Sequence, residues 1–430
     1  MEISVKNKIF HTQDLCLRTN LRCPGKRAGM EIKMDIISEL NGKRILIWGY
    51  GREGKATEHF LQRCVKPASV DIFEGKKEEI DEDDYDFIIK SPGIVMNEEN
   101  PKYTSETELF LQQFRDQVIG ITGTKGKSTT SAMLYTVLKA CSGRPVLLLG
   151  NIGQPCLDYF EEVTEDTIIV YEMSCHQLAH TNVSPHIAIF LNLYEEHLDY
   201  YGTVEKYFEA KSHIAAYQKS GDYFFVGENV PQIDTKAQRT VLHQPKGVHY
   251  ELKLAGEHNQ YDAQFVERVA ELLGCEKEAV LKSMADFEGL PHRLQYVGTY
   301  RGVRYYDDSI STIPEAAINA AMSIPDAKTV LIGGMDRGIN YDLLVAFIRE
   351  HKEFQFICAY ASGKRIFGEV GDCENCVYAE DLEQAVEAAV QMTEPGGACI
   401  LSPAAASYGY FKNFEERGET FQKYVHAFAQ

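Results

Sequence analysis

The feature that most constrains the fold is a glycine-rich loop at residues 120–128, between a strand-like and a helix-like stretch. It reads Gly120-Ile-Thr-Gly-Thr-Lys-Gly-Lys-Ser128 and follows the β-rich segment Val118–Ile121. Backbone N–H groups of such a loop hold phosphate oxygens, its lysine reaches the terminal phosphates, and its hydroxyl can bind Mg²⁺. Position 121 is Ile where the general phosphate-loop pattern has a first glycine. The segment therefore predicts a variant triphosphate loop.

Strand-like and helix-like segments alternate along most of the chain, which predicts parallel sheets covered by helices. The β-rich segments are Arg44–Trp48, Val118–Ile121, Thr167–Val170, His186–Leu191, Thr329–Ile332 and Ala398–Leu401. Helical periodicity occurs in Ser128–Ala140, Val204–Tyr217, Asp262–Leu273 and Leu382–Met392. We expect an α/β protein of three domains: residues 30–113, a central ATP-binding domain at 114–292, and 293–430. Residues 1–29 form a basic extension of unknown role, without the apolar run of a secretory signal.

The overall composition of the chain argues against several classes of protein. The formal net charge is −19, which argues against a nucleic-acid binder because phosphate contacts need a basic face. No apolar run approaches the length that spans a bilayer. The eleven cysteines are scattered, as is typical of reduced thiols, and the single CxxC at Cys373 and Cys376 has no second pair at zinc-finger spacing. We expect a cytoplasmic monomer without nucleic-acid or membrane partners.

A second glycine loop, Gly49-Tyr50-Gly51-Arg52-Glu53-Gly54, follows the first strand-like segment. It matches GxGxxG, and Asp71 lies about twenty residues after the middle glycine, where a ribose-binding acid is expected. This motif alone favours a nicotinamide or flavin cofactor. Another diphosphate, such as that of a UDP-linked ligand, fits the same N–H donors. Because an oxidoreductase has no use for a triphosphate loop, the two loops together favour an ATP-using enzyme with a second phosphorylated ligand.

A series of further segments accompanies the triphosphate loop in a fixed order. These are Gly150-Asn151-Ile152-Gly153, Glu172–Leu178, Asn192–Asp199, Lys211, His258-Asn259, Pro291-His292-Arg293, Asp308-Ser309, Gly333-Gly334, Ser402–Tyr408 and Phe411–Gly418. With residues 120–128 they resemble the motifs of the Mur ligases, over almost all of residues 40–430. The C-terminal segments are most similar to the glutamate-adding MurD branch. The resemblance implies a Rossmann-like N-terminal domain, a phosphate-loop ATPase-like central domain and a Rossmann-like C-terminal domain.

The resemblance also implies an activity: an ATP-dependent ligase of peptidoglycan precursor synthesis. It would add D-glutamate to UDP-N-acetylmuramoyl-L-alanine through an acyl phosphate. Phosphorylation is needed because a carboxylate is not electrophilic, and catalysis of such a transfer is mainly positioning and charge stabilisation.

Site roles follow from the same resemblance. The catalytic residues are Lys127, Glu172, His197 and Lys211. ATP is bound by Gly123, Thr124, Lys125, Gly126, Lys127, Ser128 and Thr129, with Asn259, Arg293 and Asp308. Two Mg²⁺ ions are held by Ser128, Glu172, His197 and Lys211, and the lysine is carbamylated because a free ammonium would repel the cation. The UDP-sugar is held by Gly49, Tyr50, Gly51, Arg52, Asn151 and Gln177. Glutamate is held by Thr312, Arg337, Ser407, Tyr408 and Phe414.

Two lysines expected from the pattern of the branch are absent. The usual D-S-K-A-T-N reads Asp308-Ser-Ile-Ser-Thr-Ile313, so Ile310 replaces a lysine. Arg337 replaces a second lysine, and arginine grips carboxylates in bidentate fashion, which makes the exchange non-conservative. Both lie near the expected glutamate pocket, and Gly-Tyr-Gly-Arg-Glu-Gly resembles a divergent subgroup that adds L-glutamate. L-glutamate is therefore an alternative substrate.

Three other functions remain open on the sequence alone. A folylpolyglutamate synthase shares the ATP loop but not a GxGxxG unit in front of it. A dinucleotide-dependent oxidoreductase would use Gly49–Gly54. A non-catalytic nucleotide-binding module would bind ATP without turnover.

Overall fold

The computed structural model describes residues 35–94, 100–244, 249–254 and 256–429. The extension expected at residues 1–29 lies outside this range. The described chain forms three sheets with helices on their faces, each built from consecutive residues. No helix in this part of the chain combines the length and apolarity that a membrane span requires.

The first unit contains a parallel sheet in the order β2-β1-β3-β4. Its elements are α1 Ile36–Leu40, β1 Arg44–Trp48, α2 Arg52–Cys64, β2 Ser69–Phe73, β3 Phe87–Lys90, β4 Tyr103–Thr104 and α3 Glu106–Phe114. The first glycine loop joins β1 to α2, as expected. The acidic run after β2 forms two short 3₁₀ turns, Lys77–Glu79 and Glu82–Asp84, whose side chains are at least partly exposed.

The central unit is a six-stranded parallel sheet in the order β10-β9-β8-β5-β7-β6. Its elements are β5 Val118–Thr122, α4 Lys127–Cys141, β6 Val146–Gly150, β7 Ile168–Glu172, α5 Cys175–Leu178, β8 Ile187–Phe190, α6 Leu198–Tyr201, α7 Val204–Ala216, β9 Tyr223–Gly227, β10 Gln238–Leu242, α8 Glu257–Leu272 and α9 Lys277–Asp286. Strands β5, β7 and β8 are buried throughout, as in sheets covered on both faces.

The third unit is a six-stranded sheet in the order β11-β12-β16-β13-β14-β15, in which only the β11–β12 pair is antiparallel. Its elements are β11 Gln295–Tyr300, β12 Val303–Asp307, α10 Pro314–Ser323, β13 Ala327–Ile332, α11 Asp342–Glu350, β14 Gln355–Ala359, α12 Tyr360–Val370, β15 Cys376–Ala379, α13 Leu382–Met392, β16 Ala398–Leu401 and α14 Phe414–Phe428. The expectation of three α/β units with parallel sheets is confirmed.

The apolar cores show how the units are joined. One cluster combines Ile36, Phe60 and Phe110 of the first unit with Leu157 and Phe190 of the central unit. The two clusters of the third unit contain only residues from 294 onward within the described chain. The first and central units therefore share a core, whereas the third unit has its own.

Candidate functional site

The triphosphate loop lies at the carboxyl end of β5, in the middle of the central sheet. In open α/β sheets, ligands bind at this edge where the strand order reverses, and here the chain fills one side of β5 before crossing to the other. Gly126 caps α4 with a φ of +84°, and a Cβ there would lie 2.5 Å from Asp262 Oδ2. Position 126 therefore requires glycine, which leaves the helix N-terminus open to an anion.

The side chains of the loop are held in place by the neighbouring strand ends. Lys125 N donates to Asn192 Oδ1 at 2.9 Å, and Tyr194 N donates to Thr124 Oγ1 at 3.0 Å. Lys127 Nζ donates back to Gly123 O and to Thr124 O, both at 2.9 Å, and burial lowers its pKa. Ser128 and Thr129 lie in the first turn of α4 and are partly exposed. The loop is thus preformed, with its lysine over the turn.

Glu172 ends β7, beside the triphosphate loop, and is fully buried. Its Oε1 accepts a hydrogen bond from Asn151 Nδ2 at 2.7 Å, whereas Oε2 is buried and has no hydrogen-bond partner. A buried carboxylate oxygen without a partner is costly unless a cation or donor meets it. Glu172 therefore fits the role of a magnesium ligand, since Mg²⁺ prefers oxygen.

Lys211 projects from α7 under the same loop and is 1% exposed. Its Nζ donates to Gly123 O at 2.9 Å and lies 4.8 Å from the centre of the Tyr207 ring. Burial, with Lys127 nearby, lowers the pKa of Lys211 to about 7. A large share of this amine is therefore uncharged at neutral pH, which is the form that can react with CO₂.

His197 lies at the rim of the same region. It has a φ of +56° and is exposed, and its ring centre is 5.3 Å from that of His176. The described residues contain no ready-made group of three or more carboxylate, imidazole or thiol ligands. Lys211 and His197 nevertheless face one cavity, and Glu172 lies behind Asn151, which also lines it.

That cavity lies between the first and central units and has a volume of about 450 Å³. It is lined by Glu53, Pro92 and Gly93 of the first unit and by Lys127, Asn151, Gln177, His197 and Lys211 of the central unit, among others. The structure therefore brings four of the residues expected to be catalytic or UDP-sugar-binding onto the wall that holds Lys127.

Glu53 of the first glycine loop lines this cavity, whereas the expected UDP-sugar residues Gly49–Arg52 do not. Gly49 has a φ of +90°, and a Cβ on Gly54 would lie 2.2 Å from Gly49 O, so both positions require glycine. Arg52 Nη2 donates to Gly153 O of the central unit at 3.1 Å. The Tyr50 hydroxyl donates a hydrogen bond to Glu58 on α2, and Gly51 is the N-cap residue of that helix. The amide of Gln177 is occupied within the protein: it accepts from Ser174 N and donates to Glu53.

The position of Asp71 does not fit the ribose-binding role that a dinucleotide-dependent oxidoreductase would require. Asp71 lies in the middle of β2, paired with Leu46, and the strand continues to Phe73. A ribose-binding acid must reach the ligand at the carboxyl edge of the sheet. Asp71 is therefore not at that edge.

The remaining nucleotide candidates lie at the approach to the third unit. Asn259 is buried in the first turn of α8, and Arg293 is exposed in the segment before β11. Asp308 is buried; it accepts from Ser402 Oγ at 2.7 Å and from Leu294 N at 3.2 Å. Burial raises the pKa of Asp308 to about 6. Asp308 thus ties the segment before β11 to the core of the third unit.

The glutamate candidates all belong to the third unit and do not line the 450 Å³ cavity. Ser407 is buried, Thr312 and Phe414 are partly exposed, and Arg337 and Tyr408 are exposed. Two loops that carry these candidates meet at Arg417, which is 1% exposed and for which the sequence predicted no individual role. Arg417 donates to Ser309 O at 2.7 Å and to Ala405 O at 2.9 Å. It therefore fixes the loop of Ser309 relative to the loop of Ala405.

Sequence reasoning missed other charged groups as well. Glu53, Lys90 and Glu106 gather where the first and central units meet, and Asp262 lies beneath the triphosphate loop. Only Glu53 gave a signal, since it is an acid within a loop expected to bind a diphosphate. The others are recognised only once the fold brings distant segments together.

Loop, buried acid and buried lysine together define an ATP-using enzyme of the phosphate-loop class. Comparison with known proteins narrows this class. Residues 121–271 match the model of the Mur ligase middle domain.

Curated relatives match nearly the whole chain. The UDP-N-acetylmuramoylalanine–D-glutamate ligase of Geobacillus kaustophilus is 32% identical, over 91% of this chain and 94% of its own. The ligase of the same name from Aquifex aeolicus is 30% identical, over 89% and 98%. Among solved structures, MurF ligase from Thermotoga maritima in complex with ADP aligns with a TM-score of 0.56 at 17% identity, covering 91% of this chain and 96% of its own. MurC from the same organism also has a TM-score of 0.56, at 18% identity, over 90% and 99%.

The chain belongs to the Mur ligase family. It is an ATP-dependent ligase that forms an amide bond, and its three-unit α/β architecture is that of the family.

Proposed function

We propose that this ligase adds D-glutamate to UDP-N-acetylmuramoyl-L-alanine during peptidoglycan precursor synthesis. The observation that carries the proposal is the shared cavity, in which Glu53 of the first glycine loop faces Lys127 of the triphosphate loop. The names of the matched relatives specify the amino acid and the sugar nucleotide.

The reaction has two steps. A carboxylate oxygen of the alanine attacks the γ-phosphorus of ATP, ADP leaves, and an acyl phosphate forms. The glutamate amine then attacks the acyl carbon and loses a proton, and inorganic phosphate leaves with the former carboxylate oxygen. Lys127 neutralises charge on the transferred phosphoryl group, a contact worth on the order of 10²–10³ in turnover by analogy with single oxyanion donors.

Mg²⁺ would neutralise phosphate charge during the transfer. We assign Ser128 and Glu172 to one ion and His197 and carbamylated Lys211 to a second. The unpartnered oxygen of Glu172 supports the first assignment. The lowered pKa of Lys211 supports the second, because the neutral amine can add to CO₂ with loss of a proton and become an anionic oxygen ligand.

The other ligands are assigned as follows. Residues Gly123–Thr129, Asn259, Arg293 and Asp308 hold ATP; Gly49–Arg52, Asn151 and Gln177 hold the UDP-sugar; Thr312, Arg337, Ser407, Tyr408 and Phe414 hold glutamate. We take residues 30–113, 114–292 and 293–430 as the three domains. We further propose a cytoplasmic monomer.

The experiment is a coupled ADP-release assay with D- and L-glutamate in parallel. The product is then analysed by mass and hydrolysed, and the configuration of the released glutamate is determined by chiral chromatography. The proposal expects product with D-glutamate that depends on ATP, Mg²⁺ and the UDP-sugar together, and loss of at least about a hundredfold in turnover in Lys127→Ala. Product only with L-glutamate would overturn the stereochemistry and point to Ile310 and Arg337. ATP hydrolysis that is indifferent to both glutamates would overturn the function.

A further inference from the structure

Two acids, the half-buried Glu53 and the buried Glu106, meet at the junction of the first and central units. Glu53 lies in the first glycine loop; its Oε1 accepts from Gln177 Nε2 at 2.8 Å, and its Oε2 is buried without a hydrogen-bond partner. Glu106 begins α3 and is 2% exposed; its Oε1 accepts from Leu157 N at 2.9 Å. Each acid is thus bonded to the central unit through one oxygen.

Few charges balance these acids. Burial raises the pKa of Glu53, and burial together with the Glu53 carboxylate raises that of Glu106 well above its usual range. The cations that face Glu53 are Lys90 from β3 and Arg52 from its own helix. Arg52 is exposed, whereas Lys90 is 3% exposed and donates to Ile94 O at 3.2 Å.

The Cys156 thiol and the Tyr171 hydroxyl also face Glu106, and burial raises the pKa of each, so both stay neutral. Charge balance then requires a proton. Two carboxylates beside one buried lysine leave a net charge of −1 in a poorly solvated site, and one proton on the acids makes the group neutral. Like-charged acids that share a site titrate as a pair, with one pKa strongly raised. Burial also lowers the pKa of Lys90 to about 8, so alkaline pH removes positive charge from the same group.

We propose that Glu53 and Glu106 share one proton, and that this proton positions the first glycine loop for the diphosphate of the sugar nucleotide. The identity of the ligand rests on the proposed function; the proton sharing does not. With the proton present, Glu53 Oε2 gains its missing partner and the loop is held against the central unit. Without it, two carboxylates repel each other and add negative charge beside a diphosphate site. Both acids are positioning residues.

The test compares Glu106→Gln with Glu108→Gln. Glutamine at 106 keeps an oxygen for Leu157 N and places an N–H toward Glu53 at every pH. Glu108 is the matched control because it is a second buried acid of α3, with a pKa also raised by burial, but it bonds Thr104 and Asn182 instead of the glycine loop.

The first readout is the KM for UDP-N-acetylmuramoyl-L-alanine between pH 6 and 9. In the wild type and in Glu108→Gln we expect this KM to rise, by up to about tenfold per pH unit above the folded pKa of the pair, with a smaller change in kcat. In Glu106→Gln the rise should be absent below about pH 8, where Lys90 keeps its charge. A KM that rises equally in Glu106→Gln would overturn the positioning role.

The second readout needs no ligand. Because the folded pKa is raised, the shared proton stabilises the folded protein, and this stability falls as pH rises through that pKa. The midpoint of thermal unfolding should therefore depend less on pH in Glu106→Gln than in Glu108→Gln. In infrared spectra, the protonated-carboxyl band that is lost in Glu106→Gln should also be lost or shifted in Glu53→Gln. Identical midpoint profiles for wild type and Glu106→Gln would overturn proton sharing. If the proton is shared but the UDP-sugar binds at no pH, the proposed function and the role of the proton in binding the sugar nucleotide are overturned. The sharing of the proton by Glu53 and Glu106 would still stand.

Discussion

The junction between the first and central units differs from the junction between the central and third units. At the first, Phe160 of the central unit packs against Phe60 and Phe114, with ring centres 4.7 and 5.0 Å apart, inside one shared core. At the second, the chain passes through His292 and Leu294, which have φ values of +60° and +44°, into a unit with separate cores. A non-glycine residue at positive φ is strained and occurs where the surrounding structure imposes it.

This difference indicates how the enzyme moves. The sugar nucleotide and the phosphates of ATP are assigned to the units that share a core, so the two glycine loops keep a fixed relation. Glutamate is assigned to the unit attached through the strained segment. We expect the third unit to rotate about residues 290–294 and bring the amine to the acyl phosphate, as in hinge closure around ligands.

The largest test of the comparison truncates one aromatic ring on each side. Phe160→Ala removes a ring from the shared core, and Phe356→Ala removes a ring, 1% exposed, from a core of the third unit. Each should cost about 3–5 kcal/mol of unfolding free energy. In calorimetry, Phe160→Ala should lower the unfolding temperature of the first and central units together. Phe356→Ala should lower the unfolding temperature of the third unit alone.

The control for this pair is limited proteolysis at the temperature of the first transition. Fragments that separate the first from the central unit in Phe160→Ala, while the central unit stays folded, would break the comparison.

A smaller effect is expected from Asp308→Asn in the third unit. The folded pKa of Asp308 is about 6 and its ordinary value is 3.8, so the wild type loses stability as pH rises from about 4 to 6. At about 1.4 kcal/mol per pKa unit, the loss is about 3 kcal/mol at most. Asp308→Asn should remove this loss from the transition of the third unit only, measured by calorimetry from pH 4 to 8. A matching shift in the other transition would show that the units are coupled more tightly than their cores indicate.

The smallest effect should come from Arg52→Ala at the first junction. The substitution removes an exposed hydrogen bond to Gly153 O and leaves the shared core intact. We expect a loss below about 1 kcal/mol in chemical denaturation. A loss as large as that of Phe160→Ala would mean that polar contacts, not the core, hold the first junction.

Much of the fold followed from local patterns. The loops at Gly49–Gly54 and Gly123–Ser128 lie between strand and helix as predicted, because glycine spacing and apolar runs report on neighbouring residues. Edge strands were missed. β10, Gln238–Leu242, has three exposed residues and lacks a continuous apolar run, and β4 is only two residues long.

The site was less accessible to sequence reasoning. Glu53 and Glu106 are 53 residues apart, and nothing local in either segment indicates that they meet. Arg417 lies in the family-like segment Phe411–Gly418, but nothing local indicated that it is buried and donates hydrogen bonds to the loops around Ser309 and Ala405. Such contacts depend on the packing of distant segments.

The most direct measurement follows one oxygen atom. UDP-N-acetylmuramoyl-L-alanine with ¹⁸O in both oxygens of its alanine carboxylate is ligated with ATP and glutamate, and the released phosphate is analysed by mass. The account predicts one ¹⁸O per phosphate, because the terminal phosphoryl group held at Lys127 is transferred to that carboxylate before the amine attacks. Phosphate without ¹⁸O, released alongside ligated product, would contradict it.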